Sequence, residues 1–540
     1  MKIRISLLLL LSFISLSSIY ADEGKIKNII LMIPDGTSLS TISAARWQQW
    51  YSDPSNPSLN IDPYICGTVL TFSSNAPIGD SAPTTSCYMT GIPSRAGYVS
   101  TYPLADPLND IYPTNPSLAY QPLMTILEAG RIEKGMSTGL VATCEFTHAT
   151  PADCAAHTYD RGRYDWISEQ MVSNQLDVVL AGGTSILTQK QSEYLQARDY
   201  GVFKDDINGF RNYTGNKMWS LFEARDMPYD LDRDHAKIPS IAEMTKKAIE
   251  KLSTNPNGFF LMVEGSKIDW AAHDNDITGM LTDFLAFDKA CGEAIEFAKE
   301  NKETIVLILS DHGNSGMSIG SHKNPSYSKA TKDDLFKAVA GYKKTAKGLS
   351  EIVKAAPQEE MKELLLKYAN INLSDKELES LVQDHKLEDS GPLRKNLTAL
   401  MNNKTNYGFT TNGHTGEEVI LAAYHPHNKE PRGFLRNFEI NAYMADALGL
   451  NKELDNLTQH YFHKHTAVFE GMQFQAVDSK VANELPFLRV KYKKNNLELY
   501  PNSNVCLLNK KYIDLSSVVI YMDKNETFYL PLDLREMMMR

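Results

Sequence analysis

The chain has 540 residues, of which 42% are hydrophobic and 22% charged, and its formal net charge is −11 at pH 7. An acidic chain without a cluster of basic residues is poorly suited to binding the nucleic acid backbone, so we expect no nucleic acid partner. The length exceeds that of one simple domain and predicts a large domain that carries insertions.

The first 21 residues have the organisation of a secretory signal peptide. Lys2 and Arg4 precede an apolar run from Ile5 to Ile19, and the small residue Ala21 offers a cleavage point. A membrane anchor is the alternative, which the short, serine-interrupted run disfavours. We therefore expect the mature chain to be periplasmic or secreted, without a membrane partner.

The six cysteines form no CxxC pair and no metal-ligand spacing, so they predict no disulfide scaffold. Export would permit one or two disulfides. Cys144 and Cys154 are the pair nearest in sequence, and whether they pair stays open.

Short, continuously apolar runs recur through the first 315 residues, as expected for strands buried on both faces. They alternate with helical stretches, which predicts an α/β fold with a mainly parallel, doubly wound central sheet flanked by helices. In such sheets ligands bind beyond the carboxyl ends of the strands. Polar residues follow three of these runs: Asp35 after 28–33, Glu264 after 258–263, and Asp311 and His312 after 304–309.

The stretch from Gly79 to Gly91 is predicted to be a loop turning into a helix that begins near Ser81. Free backbone N–H groups and the helix dipole favour phosphate at that position. The alternative interpretation is that Ser81 only caps the helix. We also expect residues 48–73 to be irregular, and a helix to carry His157 and Arg161.

Residues 316–412 are rich in lysine and glutamate and contain about four amphipathic patterns, which predicts a helical insertion. Ser374 and Glu377 form a capping box, a signal for the start of a helix. From residue 485 apolar and polar residues alternate, which predicts a small β-rich C-terminal extension to residue 540. Four histidines outside the motifs are expected at the surface: His322, His460, His463 and His465.

Seven oxygen and nitrogen donors lie at or just beyond predicted strand ends. Imidazole together with carboxylate suits zinc, whereas a set of oxygens suits magnesium. A single aspartate more often caps a helix and a single histidine more often lies at the surface, so the combined set indicates the metal centre. The seven are Asp35, Glu264, Asp269, His273, Asp311, His312 and His414.

These motifs, in this order, resemble those of the alkaline phosphatases over roughly residues 28–315 and 407–480. The resemblance rests on Asp35 in Ile-Pro-Asp-Gly, Asp80-Ser81-Ala82, His148-Ala-Thr150-Pro151, His157 to Arg161, Glu264 to Asp269 with His273, Asp311-His312 and His414-Thr-Gly416.

The resemblance implies two Zn²⁺ and one Mg²⁺, assigned residue by residue. One zinc would be held by Asp269, His273 and His414; the second by Asp35, Asp311 and His312 with Ser81; and the magnesium by Asp35, Thr150 and Glu264. Arg161 would clamp the phosphate. Beside these residues stand His148 and Trp270, where one bacterial version of the pattern has Asp and Lys.

The resemblance also implies an enzyme that hydrolyses small phosphate monoesters to alcohol and inorganic phosphate through a phosphoserine on Ser81. It implies a catalytic domain of residues 22–315 and 413–484, with the insertion where some family members carry a crown. Homodimerisation stays open, since many relatives dimerise.

Two other function classes are alternatives. A phosphodiesterase or sulfatase of the same superfamily is disfavoured because Ser81 and Arg161 follow the monoesterase pattern and no Cys-x-Pro-x-Arg stretch is present. An exported metal-binding protein on an inactive scaffold is disfavoured because a metal store would not require those two residues.

Overall fold

The computed structural model describes residues 25–322, 327–451, 453–479 and 485–540. The predicted signal peptide, residues 1–21, lies outside these ranges. Among the described helices, none combines the length and the apolar surface that a bilayer span needs.

A ten-stranded sheet forms the centre of the molecule, and it is mainly parallel as predicted. In chain order its strands are β1 (Asn28–Ile33), β2 (Ile65–Leu70), β3 (Ser137–Glu145), β4 (Val178–Gly182), β5 (Gly201–Lys204), β6 (Met218–Leu221), β7 (Phe259–Glu264), β8 (Thr304–Leu309), β9 (Val419–Tyr424) and β10 (Gly433–Arg436). Their order across the sheet is β10-β2-β9-β8-β1-β7-β3-β4-β6-β5, and β9 alone among them runs antiparallel to its neighbours.

Helices cover both faces of the sheet, which confirms the doubly wound arrangement. In chain order, the α-helices of the described residues are α1 (Leu39–Ser52), α2 (Ser81–Thr90), α3 (Ile126–Lys134), α4 (Ala149–Ala152), α5 (Tyr164–Ser173), α6 (Gln189–Gln196), α7 (Ile207–Asn212), α8 (Ile241–Leu252), α9 (Lys267–His273), α10 (Ile277–Asn301), α11 (Lys332–Gly341), α12 (Ala346–Ala355), α13 (Met361–Ala369), α14 (Asp375–His385), α15 (Gly391–Asn402), α16 (Asn437–Ala447), α17 (Glu453–Tyr461), α18 (His465–Val468) and α19 (Asp533–Met539).

Strand β1 shows why the sheet is buried on both sides. Ile30 and Met32 pack into the apolar cluster with α8 and α10, whereas Ile29, Leu31 and Ile33 pack into the opposite cluster with α2, α3 and α16. All five side chains are fully buried. A strand with two apolar faces reads as a continuous apolar run, because successive side chains point to opposite faces.

Two local predictions were wrong. Residues 48–73 are not irregular throughout, since they contain the end of α1 and strand β2. His157 and Arg161 do not lie on a helix: α4 ends at Ala152, and Thr158 then exchanges two backbone hydrogen bonds with Val99.

The segment 316–412 contains the five helices α11 to α15 within its described residues. Ser374 forms the predicted capping box with Glu377 at the start of α14. One face of α15 is buried in the apolar core, through Leu393, Leu397 and Met401. Amphipathic packing of this kind supplies most of the stability of helices of ten residues or so.

The C-terminal residues form two small antiparallel sheets. The first has five strands, Gln473–Val477, Phe487–Tyr492, Asn495–Leu499, Val505–Leu508 and Lys511–Asp514. The second has three, His463–Lys464, Thr527–Leu530 and Ile520–Met522. Most of their apolar residues form a cluster of their own, whereas Ile520, Met522 and Tyr529 of the three-stranded sheet pack into the cluster that contains Ile29.

Candidate metal centre and phosphate site

The predicted ligands converge because the four central strands β8, β1, β7 and β3 all end at one edge of the sheet. Asp35 follows β1, Glu264 ends β7, and Asp311 with His312 follows β8. Thr150 lies on α4, which follows β3. These residues are separated by up to about 280 positions in sequence yet form one buried cluster.

Asp269, His273 and His414 form the first group. Asp269 and His273 lie one turn apart on α9, as their spacing predicts. His273 Nε2 lies 3.1 Å from His414 Nε2 and 3.4 Å from Asp269 Oδ2, and His414 Nε2 lies 3.7 Å from Asp269 Oδ1. Two donors bound about 2.0 Å from a tetrahedral zinc lie roughly 3.3 Å apart, so this spacing suits one shared ion.

Asp35, Asp311, His312 and Ser81 form the second group. His312 Nε2 is 3.3 Å from Asp311 Oδ2, 3.3 Å from Ser81 Oγ and 3.6 Å from Asp35 Oδ1. The imidazole rings of His312 and His414 stack with their centroids 3.7 Å apart, so the first and second groups are contiguous.

The three histidines share one orientation. The Nδ1 atoms of His273, His312 and His414 lie 2.7, 3.1 and 2.9 Å from the backbone carbonyls of Asn412, Gly313 and Gly79. A carbonyl only accepts, so each Nδ1 carries a proton, and each Nε2 is the ring nitrogen that faces the cluster. Such backbone contacts are typical of metal-ligating histidines.

The third group consists of oxygens, from Asp35, Thr150 and Glu264. Both carboxylate oxygens of Asp35, the Thr150 hydroxyl and Glu264 Oε1 are buried and have no hydrogen-bond partner in the described part of the chain. A buried polar oxygen without a partner costs about 1–3 kcal/mol, and more when it is charged. Four such atoms in one cluster fit a cation with oxygen ligands.

The pKa values of the buried carboxyl groups in this cluster are also consistent with a cation site. Burial, together with the neighbouring carboxylates of Asp311, Asp269 and Glu264, raises the pKa of Asp35 well above its ordinary value. Burial raises the pKa of Glu264 to about 7. A cation bound beside these carboxyl groups would favour their ionised forms and lower both pKa values.

Asp269 and His273 form a complementary pair. Burial opposes ionisation of Asp269, but hydrogen bonding to His273 and the neighbouring imidazoles lower the pKa of that carboxyl. The hydrogen bond to Asp269 raises the pKa of His273 to about 9.

Ser81 is the first residue of α2, whose ten residues are all buried, and it is itself 2% exposed. Thr84 is the first residue whose backbone N–H is bonded back into the turn, so the N–H groups before it are free. Asp80 precedes the helix without capping it, and its carboxylate instead accepts a hydrogen bond from Arg161 Nη1 at 2.8 Å. Burial opposes ionisation of Asp80, but the Arg161 guanidinium prevails and lowers the pKa of Asp80.

Arg161 also donates from Nη2 to His148 Nε2 at 3.2 Å. Burial and the Arg161 charge lower the pKa of His148 to about 3, so the ring is neutral and accepts this bond. Trp270 lies beside His148, with ring centroids 5.5 Å apart. The ammonium of the fully buried Lys267 lies 4.1 Å from the Trp270 ring centroid and pairs with Asp226.

Three contacts of the site were not predicted from the sequence. Cys144 Sγ lies 3.3 Å from Glu264 Oε2, Asn314 Nδ2 donates to Asp269 Oδ1 at 2.6 Å, and Lys267 lies behind Trp270. Cys144 lies near the end of β3, a strand that the sequence predicts, and four residues before His148, so its place beside the site could have been inferred from the sequence. It does not pair with Cys154, because all six cysteines, which lie within the described ranges, are free.

Comparison with known proteins identifies the family. The alkaline phosphatase family model matches residues 26–450. Alkaline phosphatase 4 of Bacillus subtilis is 33% identical over 431 residues, covering 77% of this chain and 87% of the relative. Alkaline phosphatase 3 of the same organism is 31% identical over 455 residues, covering 81% and 92%.

Comparison with solved structures supports the same family. The cold-active alkaline phosphatase of the psychrophile Shewanella sp. superposes with a TM-score of 0.68 at 25% identity, covering 78% of this chain and 99% of that one. The chain belongs to the alkaline phosphatase family of enzymes.

Proposed function

We propose that this enzyme hydrolyses phosphate monoesters to an alcohol and inorganic phosphate, with Ser81 as the nucleophile. The observation that carries this proposal is the position of the Ser81 hydroxyl. It lies at the free N-terminus of α2 and 3.3 Å from His312 Nε2, within the cluster of candidate metal ligands.

We further propose that the cluster holds two Zn²⁺ and one Mg²⁺. The first zinc would take Asp269, His273 and His414; the second Asp35, Asp311, His312 and Ser81; and the magnesium Asp35, Thr150 and Glu264. When bound, the cations lower the pKa of hydroxyl groups and stabilise negative charge on the entering and leaving oxygens.

Arg161 binds and orients the substrate in this proposal. Its planar guanidinium can donate to two non-bridging phosphate oxygens at once, which a lysine cannot do. Asp80 and His148 hold the guanidinium from two sides, so little side-chain freedom is left to lose when phosphate binds. A diester offers one free oxygen fewer, which favours monoesters.

Two displacements complete the reaction. In the first, the Ser81 oxygen forms a bond to phosphorus, the bond to the alcohol oxygen breaks, and the alcohol leaves with the proton that Ser81 gives up. In the second, a water oxygen bonds to phosphorus, the Ser81–phosphorus bond breaks, and Ser81 regains a proton as phosphate departs. The N-terminus of α2 favours the anion throughout.

The cellular setting is part of the proposal. Residues 1–21 would direct export, and the substrates would be small monoesters outside the cytoplasm. Residues 316–412 would act as an insertion beside the site mouth, since Asn412 contacts His273 and Arg394 lies 3.4 Å from Asp274.

The test is alcohol release from a chromogenic phosphate monoester at alkaline pH, before chelation, after it, and after zinc and magnesium are restored. We expect chelation to abolish the activity and the added metals to restore it. Ser81→Ala should also abolish the activity, whereas Ser253→Ala, a change at an exposed helix end, should not. Cleavage of a phosphate diester or sulfate ester instead would favour the related esterases. Inactivity on all three esters would favour an inactive metal-binding scaffold.

A further inference from the structure

The loop that carries Arg161 has two sides with different neighbours. The Arg161 side chain contacts Asp80 and His148 in the site. The side chains two positions before and after it, Tyr159 and Arg163, point the other way and contact the C-terminal residues. Residues Asp160 to Arg163 form a turn, in which the Arg163 N–H donates to the Asp160 carbonyl at 3.1 Å. Because the chain turns at Arg161, the side chains on either side of it reach different neighbours.

Asp523 is the C-terminal partner of this loop. It follows the strand Ile520–Met522 and lies beyond residue 450, where the family match ends. The Tyr159 hydroxyl donates to Asp523 Oδ1 at 2.6 Å, and Arg163 Nη2 lies 3.5 Å from Asp523 Oδ2. Arg163 Nη2 also donates to the Tyr159 hydroxyl at 3.0 Å, which closes a three-residue network.

A second connection lies at the start of the same loop. Gln170 on α5 receives a hydrogen bond from the His157 backbone N–H and donates to the His157 carbonyl, at 2.7 and 3.1 Å. The same Gln170 amide donates to Asn502 Oδ1 at 3.0 Å, and Ser173 donates to the Asn502 carbonyl at 2.8 Å. The C-terminal residues therefore hold the loop at both ends of the stretch that contains Arg161.

We propose that the C-terminal residues of this chain position the phosphate-binding Arg161, chiefly through the Tyr159–Asp523 hydrogen bond. The inference rests on the proposed function, in which Arg161 binds phosphate. Asp523 and Tyr159 are positioning residues, since both act through the backbone of the loop. Loss of their contact loosens phosphate binding and leaves the Ser81 nucleophile in place.

The two contacts of Asp523 differ in length, and the shorter one contributes more to holding the loop. At 2.6 Å the Tyr159–Asp523 bond is in the range of charge-assisted O–H···O⁻ bonds, which are roughly twice as strong as neutral ones. The Arg163–Asp523 pair is longer and both side chains are 36% exposed, so it contributes little. Burial and the hydrogen bond to Asp523 raise the pKa of Tyr159 to about 12, so the hydroxyl stays a donor at alkaline pH.

The experiment compares Tyr159→Phe and Asp523→Asn with a matched control, Asp514→Asn. Asp514 is likewise a C-terminal aspartate in an ion pair, 3.0 Å from Arg198, but it is more exposed than Asp523 and does not contact the loop. The binding constant of inorganic phosphate to the metal-loaded protein is measured by calorimetry, with KM and kcat for a monoester and the melting temperature alongside. Arg161→Lys is the reference for loss of phosphate binding.

We expect Tyr159→Phe and Asp523→Asn each to weaken phosphate binding roughly three- to tenfold and to raise KM in parallel, with kcat changed less than about twofold. The double variant should be no weaker than either single one, and Asp514→Asn should match the wild type. If Tyr159→Phe and Asp523→Asn leave phosphate binding unchanged while Arg161→Lys weakens it, the inference about the C-terminal residues is overturned and the proposed role of Arg161 stands. Unchanged binding in Arg161→Lys would instead contradict the proposed role of Arg161.

Discussion

Metal binding by the metal-free protein should release protons, and the amount can be worked out from the site. Cations bind the deprotonated forms of carboxyl and imidazole ligands. In the metal-free protein burial raises the pKa of Glu264 to about 7, and the hydrogen bond to Asp269 raises the pKa of His273 to about 9. Both groups therefore hold protons that the ions must displace.

The number of protons released at each pH follows from these two pKa values. At pH 7 His273 is almost fully protonated and Glu264 about half protonated, so full loading releases at least about one and a half protons. At pH 9.5 the two groups release only about a quarter of a proton. The product of the metal-binding constants should accordingly rise about a hundredfold from pH 7 to pH 9.5.

Calorimetry of metal binding in buffers of different ionisation enthalpy gives the number of protons directly. Glu264→Gln should reduce the release at pH 7 by about half a proton. His463→Asn, a change at a histidine outside the site, should leave it unchanged. Release of no protons at pH 7, or affinity that falls as the pH rises, would refute the assigned ligands.

Three further changes have definite expected outcomes. In Gly36→Ala the added methyl group would overlap Asp269 Oδ1 at a backbone φ of +59°, so zinc content should fall when measured by mass spectrometry of the purified protein. Cys144→Val removes the thiol next to Glu264 Oε2 and should weaken magnesium binding in equilibrium dialysis, whereas Cys144→Ser keeps a donor and should not. Leu397→Ala opens a cavity in the buried face of α15 and should lower the free energy of unfolding by about 2–5 kcal/mol in urea, with KM for a small monoester unchanged.

The central sheet could be predicted because its strands are buried on both faces. The runs predicted at 28–33 and 304–309 match β1 and β8 to the residue, since a continuous apolar stretch bounded by turn residues has few other uses. Strand β2 gave no such signal: it contains Gly67, and most of its side chains are partly exposed. Its place in the sheet depends on pairing with β9 and β10, far along the chain.

Long-range contacts account for the remaining differences. The loop at His157 and Arg161 was expected to be helical, but backbone hydrogen bonds of Thr158 with Val99 and of Arg161 with Gly97 hold it against that distant segment. His465 was expected at the surface and is instead 9% exposed, with its ring accepting a hydrogen bond from the Phe528 N–H. Neither partner can be inferred from neighbouring residues.

The candidate site also has parts that the sequence predicts and parts that only the structure shows. The motifs located its candidate ligands, because residues at the ends of parallel strands meet at one edge. The contacts that support those ligands, such as Asn314 with Asp269, join segments about 45 residues apart and have no local pattern. The Tyr159–Asp523 contact spans 364 positions and required the structure.

The most direct test of the proposed chemistry is to trap the covalent intermediate. The metal-loaded enzyme is mixed with a monoester, quenched in acid, digested, and mapped by tandem mass spectrometry. We expect one phosphoryl group on Ser81, and none on that peptide from the chelated enzyme. Steady release of phosphate with Ser81 unmodified at every quench time, or with the phosphoryl group on another residue, would contradict the assignment of Ser81 as the nucleophile.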